Sequence, residues 1–377
     1  MLEGLRVLDF TWAAAGPYAT LLLGFLGAEV TRVESTRRLD PARSGFLARY
    51  DGVDASPIFN ELNLNKRSLQ VDLTQPESLE LVHRLAGEVD VVVDNFRPGV
   101  MARFGLAPAE LLTRHPGLVV ASSSANGATG PDAMDAGLAS IFAATGGLSE
   151  QTGYVDGPPT EVGDPVDYRS GAALAVGILA ALLHAARTGE GHHVDVSSRE
   201  VVIASAPDAL LAHVLGVSWQ PRIGNGHRTM APHGVYACRG SGWVAIAVGD
   251  ESERAALSRL LGVDGLDLDD SVAAWTSTRT AVAAASELHG AGIAASPVMT
   301  FAALADDPHL AARGTFVDVV HPVLGRQRVM RAPWVFSSWG NGVRCPAPLM
   351  GADNEAVLAG VDGLPAIDPE RAAEVFR

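Results

Sequence analysis

Two aspartates precede a long apolar stretch of the sequence. Asp164 and Asp167 lie in the segment 163–171, and an apolar segment at 172–186 follows it. The pattern predicts a helix over 170–187, with both carboxylates in the loop before it. A helix N-terminus stabilises negative charge, because its unpaired N–H groups and the positive end of its dipole lie there. A carboxylate in this place fits two roles: a helix cap, or an ionised group in a reacting site.

The elements before this helix alternate between strand and helix patterns. Strand patterns occur at 5–10, 29–34, 68–72, 89–93 and 118–122, and helix patterns at 18–26, 76–86 and 108–114. This alternation is typical of parallel sheets. It predicts an α/β fold with a Rossmann-like, doubly wound parallel sheet, to which the strand pattern at 193–197 adds a further strand.

The pattern changes after the first two hundred residues. A helix pattern at 199–215 leads to hairpin patterns at 234–238 and 243–248, and then to Ala- and Leu-rich helix patterns over 251–291. A chain of 377 residues suits about two domains. We predict a large domain over 1–200, a linker helix and small α+β domain over 201–312, and a C-terminal segment over 313–377 that ends in a helix.

Composition and charge argue against several classes of partner. The formal net charge of −15 disfavours nucleic acid or a membrane surface, because both need basic patches on the protein. Two cysteines, Cys238 and Cys345, cannot form a disulfide framework, and they favour a reducing cytoplasm. The apolar segment at 172–186 is short and Ala-rich, so we expect a buried helix rather than a membrane span. No leader pattern precedes the first strand, as expected for a cytoplasmic protein.

The first strand–helix loop lies where a dinucleotide-binding enzyme holds its cofactor. Glu34 stands where an acid usually binds the ribose, but of the Gly-x-Gly-x-x-Gly glycines only Gly16 is present, so NAD or FAD is not expected. The run of small residues that follows Trp12, at 13–16, allows either a ligand or tight packing at the sheet edge. His192 and His193 point to opposite faces of a strand, so no metal site is expected.

Seven short segments follow one another along the chain. They are Asp-Phe-Thr with Gly-Pro (9–17), Leu-Gly-Ala-Glu-Val (26–30), Leu-Asn-Lys-Arg-Ser-Leu (64–69), Asp-Asn-Phe-Arg-Pro-Gly (94–99), Gly-Pro-Pro-Thr (157–160), Gly-Ile-Leu-Ala-Ala-Leu (177–182) and Ala-Pro-Leu-Met-Gly-x-Asp-Asn (347–354). Together they resemble the class III CoA-transferase family, to which formyl-CoA transferase and carnitine CoA-transferase belong. The resemblance covers nearly the whole chain, and its specificity comes from the order of the segments.

The resemblance implies a nucleophile. In that family an Asp ten residues before the Gly-Ile-Leu-Ala-Ala-Leu segment attacks the thioester. Counting back from Gly177 gives Asp167, which is also four residues before Gly171, as in the family's Asp-x3-Gly spacing. Counting forward from Thr160 leaves a gap of one residue, so Asp164 stays an alternative. The implied activity moves CoA from an acyl-CoA donor to a carboxylic acid acceptor, through an aspartyl anhydride and an aspartyl-CoA thioester. CoA and acyl-CoA are then substrates, with no permanently bound cofactor.

The resemblance also implies which residues contact CoA. Arginine forks bind phosphates well, which suits Arg97 and Arg103, although both also fit a solvated surface. The adenine and phosphate end is expected near Ala14, Ala15, Val71, Asp72, Leu73, Thr74, Asn95, Phe96, Arg97 and Arg103, and the pantetheine near Ala136, Gly137, Leu138 and Ala139.

Some positions depart from the family pattern. Ser35, Thr74 and Ala136 stand where basic residues occur in the family. Another basic group must then supply the phosphate contact, and the candidates near the second strand are Arg32, Arg37 and Arg38.

Two further functions stay open beside CoA transfer. A racemase branch of the superfamily uses an aspartate and a histidine as acid and base. Its Gly-His-Asp segment falls on Gly137, Leu138 and Ala139, and Leu138 cannot accept a proton. The other alternative is a non-catalytic CoA-binding paralogue. The resemblance also implies a homodimer of two interlocked ring-shaped subunits, in which the C-terminal segment returns to the large domain.

Overall fold

The chain folds into two compact units. The computed structural model describes residues 1–44, 51–220, 222–263, 268–340, 342–359 and 374–376. The large unit comprises Met1–Leu148, Glu161–Asp208 and Ala311–Arg377, and the small unit comprises Ser149–Thr160 and Ala209–Leu310.

A six-stranded parallel sheet forms the centre of the large unit. Its strands are β1 (Arg6–Asp9), β2 (Glu29–Glu34), β3 (Lys66–Gln70), β4 (Val91–Asp94), β5 (Val119–Ser124) and β6 (His193–Ser197). Their order is β3-β2-β1-β4-β5-β6, and every neighbouring pair is parallel. The predicted α/β fold with a parallel sheet is confirmed. The strand order reverses between β1 and β4, and ligands of such sheets bind beyond the carboxyl ends of the strands at that reversal.

Helices cover both faces of this sheet. They are α1 (Ala15–Phe25), α2 (Pro57–Leu62), α3 (Pro76–Glu88), α4 (Pro108–Arg114), α5 (Ala139–Thr145), α6 (Asp164–Thr188) and α7 (Ser198–Ala204). Val91 packs in one core with Ile178 of α6, whereas its neighbour Val92 packs in a second core with Leu81 of α3. Adjacent strand residues face opposite sides, so the sheet separates two apolar layers.

Helix α6 begins earlier than the apolar pattern predicts. Gly163 is its N-cap and Pro165 lies in its first turn, where the fixed φ of proline suits a helix and its missing N–H is not needed. Asp167 therefore lies inside the helix, one turn from its start, and not in a preceding loop. A helix-capping role for Asp167 is excluded by this geometry.

Helix α6 is also only partly buried, whereas the sequence predicted a buried helix. Leu174 and Ile178 are buried, but Val176 is 66% exposed and Leu183 is 58% exposed. By length and composition alone, Pro165–Thr188 is apolar enough to cross a membrane. Here its buried face packs in the core of the large unit.

A single helix predicted over 199–215 is instead two, α7 and α8 (Pro207–Val214). Pro207 causes the break, because it lacks an N–H and its ring disfavours helical backbone at the residue before it.

An antiparallel sheet of three strands forms the core of the small unit. Its strands are β7 (His233–Ala237), β8 (Trp243–Ala247) and β9 (Ala294–Pro297), in the order β7-β8-β9. The predicted antiparallel hairpin is confirmed as β7 and β8. The helices in this part of the chain are α9 (Glu251–Leu261), α10 (Asp269–Ser277), α11 (Ala281–Gly290), α12 (Phe301–Ala305) and α13 (Pro308–Ala312).

The C-terminal segment belongs to the large unit and covers the edge of its sheet. It contains the hairpin β10 (Phe316–His321) and β11 (Gly325–Met330) and the helix α14 (Asn354–Ala359). Asp353 exchanges hydrogen bonds with the backbone of Ser68, and the Asn354 amide oxygen accepts from the Gln70 N–H. The open backbone groups of β3 are thus paired. A helix was expected at the end of the chain, and residues 360–373 of that part lie outside the described residues.

Candidate active site

Two adjoining cavities open at the carboxyl ends of the parallel strands. The outer cavity, of about 760 Å³, lies beyond β1, β2 and β3, and its wall includes Arg37, Arg38 and Thr74. The inner cavity, of about 290 Å³, lies beyond β1, β4 and β5. Trp12, Phe96 and Arg97 line both cavities, so an extended ligand can pass from one into the other.

Most of the residues proposed from the resemblance line these two cavities. Only Ala139, which begins α5, is not among the described wall residues of either one. Val71, Asp72, Leu73, Thr74 and Arg103 line the outer cavity, Ala14, Ala15, Asn95, Ala136, Gly137, Leu138 and Asp167 line the inner cavity, and Phe96 and Arg97 line both.

The position of Asp167 is set by close packing between α6 and the start of α1. A Cβ atom at Gly171 would lie only 2.3 Å from the Ala15 carbonyl oxygen, so the two backbones meet where a side chain has no room. Residues four apart on a helix share one face. Asp167 therefore faces the same loop as Gly171, at the wall of the inner cavity. The Tyr18 and Tyr168 rings pack edge to face at 4.9 Å beside this contact.

Hydrogen bonds fix the loop that forms the other wall of the inner cavity. The Asn95 side chain accepts from the Trp12 N–H at 2.7 Å and donates to the Trp12 carbonyl at 2.8 Å. The Ala13 N–H donates to Asp40 at 3.0 Å, and Ala13 has the positive φ of 61°. The loops after β1 and β4 are thus tied to each other.

Asp94, at the end of β4, holds the next part of the same wall. Its carboxylate accepts from the Ser122 hydroxyl at 2.8 Å and from the Phe96 N–H at 3.0 Å. Burial raises the pKa of Asp94 to about 6, and the hydrogen bond from Ser122 offsets part of that rise. The backbone N–H of Phe96 is therefore anchored at the junction of the two cavities.

Positive charge dominates the wall of the outer cavity. The Arg37 guanidinium donates to Asp72 and to Thr74, each at 3.2 Å. Burial would raise the pKa of Asp72, but hydrogen bonds from Thr74 and Arg37 lower it overall. Arg38 lies over the Trp12 ring, 5.3 Å from its centroid. Arg97 and Arg103 add two more exposed cations to the wall, and neither side chain pairs with an acid among the described residues.

Two residues singled out in the sequence have structural partners instead. Arg32 is fully buried and pairs with Glu34 and Asp40, so it is not the missing phosphate contact. The Glu34 carboxylate is held by Arg32 and by Arg43, whose Nε lies 2.8 Å away. Glu34 therefore closes a buried ion network and is not free to bind a ribose.

The family model described as CoA-transferase family III matches residues 2–354 of the chain. The chain belongs to CoA-transferase family III. The resemblance read from the seven sequence segments is confirmed, and so is the prediction that the chain is an enzyme of this family.

Three curated relatives of this family III chain match it over most of their length. It is 32% identical over 381 residues to the succinyl-CoA–D-citramalate CoA-transferase of Chloroflexus aurantiacus, covering 96% of this chain and 94% of that one. It is 30% identical over 383 residues to the succinate–glutarate CoA-transferase of Agrobacterium fabrum, covering 95% of each. The acetyl-CoA:oxalate CoA-transferase of Acetobacter aceti is 32% identical over 334 residues, with 84% of this chain and 85% of that one covered.

Solved structures agree with this assignment. A CaiB/BaiF family protein from Brucella suis superposes with a TM-score of 0.84 at 29% identity, covering 96% of this chain and 99% of that one. A hypothetical protein from Mycobacterium tuberculosis superposes with a TM-score of 0.79 at 28% identity, covering 94% and 98%.

Trp12 and Asp135 are two of the wall residues of this family III site that were not assigned to it from the sequence. Trp12 forms part of both cavities, and Asp135 places a second carboxylate in the wall of the inner cavity. Trp12 was detectable, because it is the one large side chain in a loop of small residues after β1. Asp135 had no such signal, since it lies in an irregular segment between Asp132 and Ala136.

The close contact at Gly171 gives a test of how Asp167 is positioned. We expect Gly171→Ala to push α6 away from Ala15 and to lower kcat/KM by about 100-fold, because displacement of a reacting group by about 1 Å has that effect. The matched control is Gly290→Ala in α11, where a Cβ meets nothing within 4 Å and activity should not change. Steady-state kinetics and thermal unfolding of both variants make the comparison, and wild-type activity in Gly171→Ala would contradict the packing argument.

Proposed function

We propose that this enzyme transfers CoA from an acyl-CoA to a carboxylic acid through covalent intermediates on Asp167. The observation that carries the proposal is the place of Asp167 in the wall of the inner cavity, which joins the arginine-lined outer cavity at Trp12. A carboxylate nucleophile divides one difficult exchange into easier steps. Asp164 is the weaker candidate, because the helical spacing to Gly171 selects Asp167.

The proposed reaction has four balanced steps. The Asp167 carboxylate attacks the thioester carbonyl, which gives an aspartyl anhydride and releases the CoA thiolate. The thiolate attacks the aspartyl carbonyl, so that an aspartyl-CoA thioester forms and the donor acid leaves as a carboxylate. The acceptor carboxylate then attacks this thioester, giving a new anhydride and the thiolate again. The thiolate finally attacks the acceptor carbonyl, which releases the new acyl-CoA and restores Asp167.

The charges of the two cavities support one orientation of CoA. The outer cavity has four arginines in its wall, and its two acids already have arginine partners. The inner cavity has Asp167 and Asp135 against one arginine, Arg97. The CoA phosphates therefore bind in the outer cavity, where guanidinium groups match them, and the pantetheine passes Trp12 and Phe96 to reach Asp167.

The acids exchanged are proposed to belong to a class that the relatives share. Each of their names includes a dicarboxylic acid or its CoA ester, namely succinyl-CoA, glutarate or oxalate, and one also includes acetyl-CoA. Short dicarboxylic acids are therefore the first donors and acceptors to assay. The racemase alternative has no support from the described site, because Leu138 in the inner cavity cannot exchange a proton.

Trapping of the covalent intermediate tests the nucleophile. Incubation with succinyl-CoA and hydroxylamine should leave a hydroxamate on Asp167, which peptide mass analysis locates. Asp167→Asn should lower CoA transfer by roughly 10³-fold or more, because the covalent route is lost. Asp164→Asn is the matched control, and it should keep both the trapped adduct and most of the activity. An adduct on Asp164, or transfer activity without any adduct, would sink the proposal.

The arginines of the outer cavity give a second test. We expect Arg37→Ala and Arg38→Ala each to raise KM for an acyl-CoA by about tenfold, because each removes a charged contact to phosphate. The same variants should act like wild type on the matching acyl-pantetheine, which lacks the nucleotide. Arg67→Ala is the control, since Arg67 is exposed and pairs with Glu29 outside both cavities. Equal losses with acyl-CoA and acyl-pantetheine would contradict this placement.

We further propose a homodimer, which the resemblance describes as two interlocked rings. Support comes from the exposed apolar stripe of α6, where Val176, Ala180 and Leu183 recur at the helical period on one face. We propose that a second copy of the chain packs against this stripe and buries it.

Light scattering after gel filtration tests this assembly. The wild type should elute with the mass of a dimer, and Val176→Asp combined with Leu183→Asp should shift it to monomer and abolish CoA transfer. Val282→Asp, which changes a residue 69% exposed on α11, is the control and should stay dimeric. A wild-type chain that is monomeric at assay concentrations refutes the proposal.

A further inference from the structure

A third cavity shares five wall residues with the inner cavity and none with the outer cavity. This side chamber, of about 290 Å³, is lined by Asn126, Asp132, Ile141, Thr145 and Arg199 together with the wall it shares with the inner cavity. The shared wall consists of Ala125, Asp135, Ala136, Gly137 and Phe142. Small side chains at three of these positions leave the two cavities in contact.

A thioester that reacts at Asp167 needs space on both sides of its carbonyl carbon, and the side chamber provides one of these spaces. Two arms leave the reacting carbonyl, namely the sulfur with its pantetheine and the carbon chain of the acyl group. The pantetheine arm is directed toward the outer cavity, because the phosphates at its far end match the arginines there. The acyl arm must then extend in the other direction, and the side chamber is the described space that borders the inner cavity there.

One cation lies in the wall of the side chamber. Arg199 follows β6, and its backbone N–H donates to the Ala125 carbonyl at 3.0 Å. Its Nη1 donates to Asp132 at 2.9 Å, with the two side chains 38% and 50% exposed. Among the described residues no acceptor is bonded to its Nε or Nη2. A guanidinium holds five N–H donors in one plane, so Arg199 can keep Asp132 and still bind a second carboxylate.

We propose that the side chamber binds the distal carboxylate of a dicarboxylic acyl group, through the Nε and Nη2 donors of Arg199. The inference rests on the proposed function, because it places the acyl chain relative to Asp167. Asn126 and Thr145 add polar wall groups for substituents along that chain. Asp132 is neutralised by its pair with Arg199, and Asp135 is the remaining opposing charge. Asp135 is exposed to solvent, so its repulsion is screened by water and salt.

The passage between the two cavities depends on Gly137. A Cβ atom at this position would lie 2.5 Å from Cε1 of Phe142, whose ring lines both cavities. Any larger residue at 137 must displace that ring.

The test compares acceptors that differ only at their far end. Succinate and its neutral monoamide, succinamate, are offered with acetyl-CoA as donor to the wild-type enzyme, to Arg199→Gln and to Arg199→Lys. Butyrate and 4-aminobutyrate complete the series with an apolar and a cationic end. The measured quantity is the ratio of kcat/KM for succinate to kcat/KM for succinamate. Arg326→Gln is the matched control, because Arg326 also forms an exposed pair with an aspartate but lies outside the three cavities.

The wild type should favour succinate over succinamate by about tenfold or more, since a charged hydrogen bond is worth that much. Arg199→Gln should reduce this ratio by about tenfold, Arg199→Lys should retain part of it, and Arg326→Gln should leave it unchanged. An unchanged ratio in Arg199→Gln, or a wild-type preference for 4-aminobutyrate, overturns the inference while CoA transfer itself stands. Absence of CoA transfer to every acid, with no adduct on Asp167, overturns the proposed function and this inference with it.

Discussion

Close contact between the backbones of α6 and α1 is the constraint on which the site depends. At Gly171 the helix approaches the Ala15 carbonyl so nearly that a methyl group would overlap it. The contact fixes the rotation of α6 about its own axis, and the residue one turn earlier then faces the same loop. Asp167 is that residue, so the Asp-x3-Gly spacing is one helical turn that joins the proposed nucleophile to a packing contact.

Buried charges hold the loops against which Asp167 is placed. Lys66 donates to Asp9, to the Thr20 hydroxyl and to the Pro17 carbonyl at the start of α1. Burial lowers the pKa of Lys66 to about 8, and the neighbouring Asp9 limits the fall. A buried charge without its partner typically costs 3–5 kcal/mol, so such a network tolerates few arrangements of the loop. These groups line no described cavity, and their part in the site is to set its walls.

The parallel sheet could be predicted because it follows from local patterns, namely apolar runs separated by helix patterns. The order of its strands, and the reversal between β1 and β4 that marks the ligand-binding edge, became visible only in the structure. The start of α6 could not be read from apolarity, because its first turn carries Asp164 and Asp167 and begins with a glycine cap. Pro207 marks the break between α7 and α8 in the sequence. The break was nevertheless missed, because the apolar pattern continues across this proline.

The sequence could not show which partners each residue has in the folded chain. Arg32 looked like an available cation, yet Phe59 lies against its guanidinium and Asp40 and Glu34 bind it. Likewise Asp353 and Asn354 carried the resemblance without any visible role, and the structure shows them pairing the backbone of β3. The contact of Asp353 with Ser68 joins residues 285 positions apart, so no local pattern could indicate it.

The outer cavity is rich in arginines, whereas the inner cavity contains the Asp167 carboxylate, and this difference in charge affects the order of the proposed steps. The Asp167 carboxylate lies in the wall of the inner cavity, where its charge opposes the entry of a free carboxylate. An acyl-CoA is also bound through its phosphates by the arginines of the outer cavity, which a free acid lacks, so we propose that the acyl-CoA enters first. Once Asp167 is converted to a thioester its charge is gone, and the departing and entering acids meet less repulsion. Covalent chemistry on Asp167 would then switch the electrostatics of the site between accepting a thioester and accepting an acid, while the arginines of the outer cavity retain CoA.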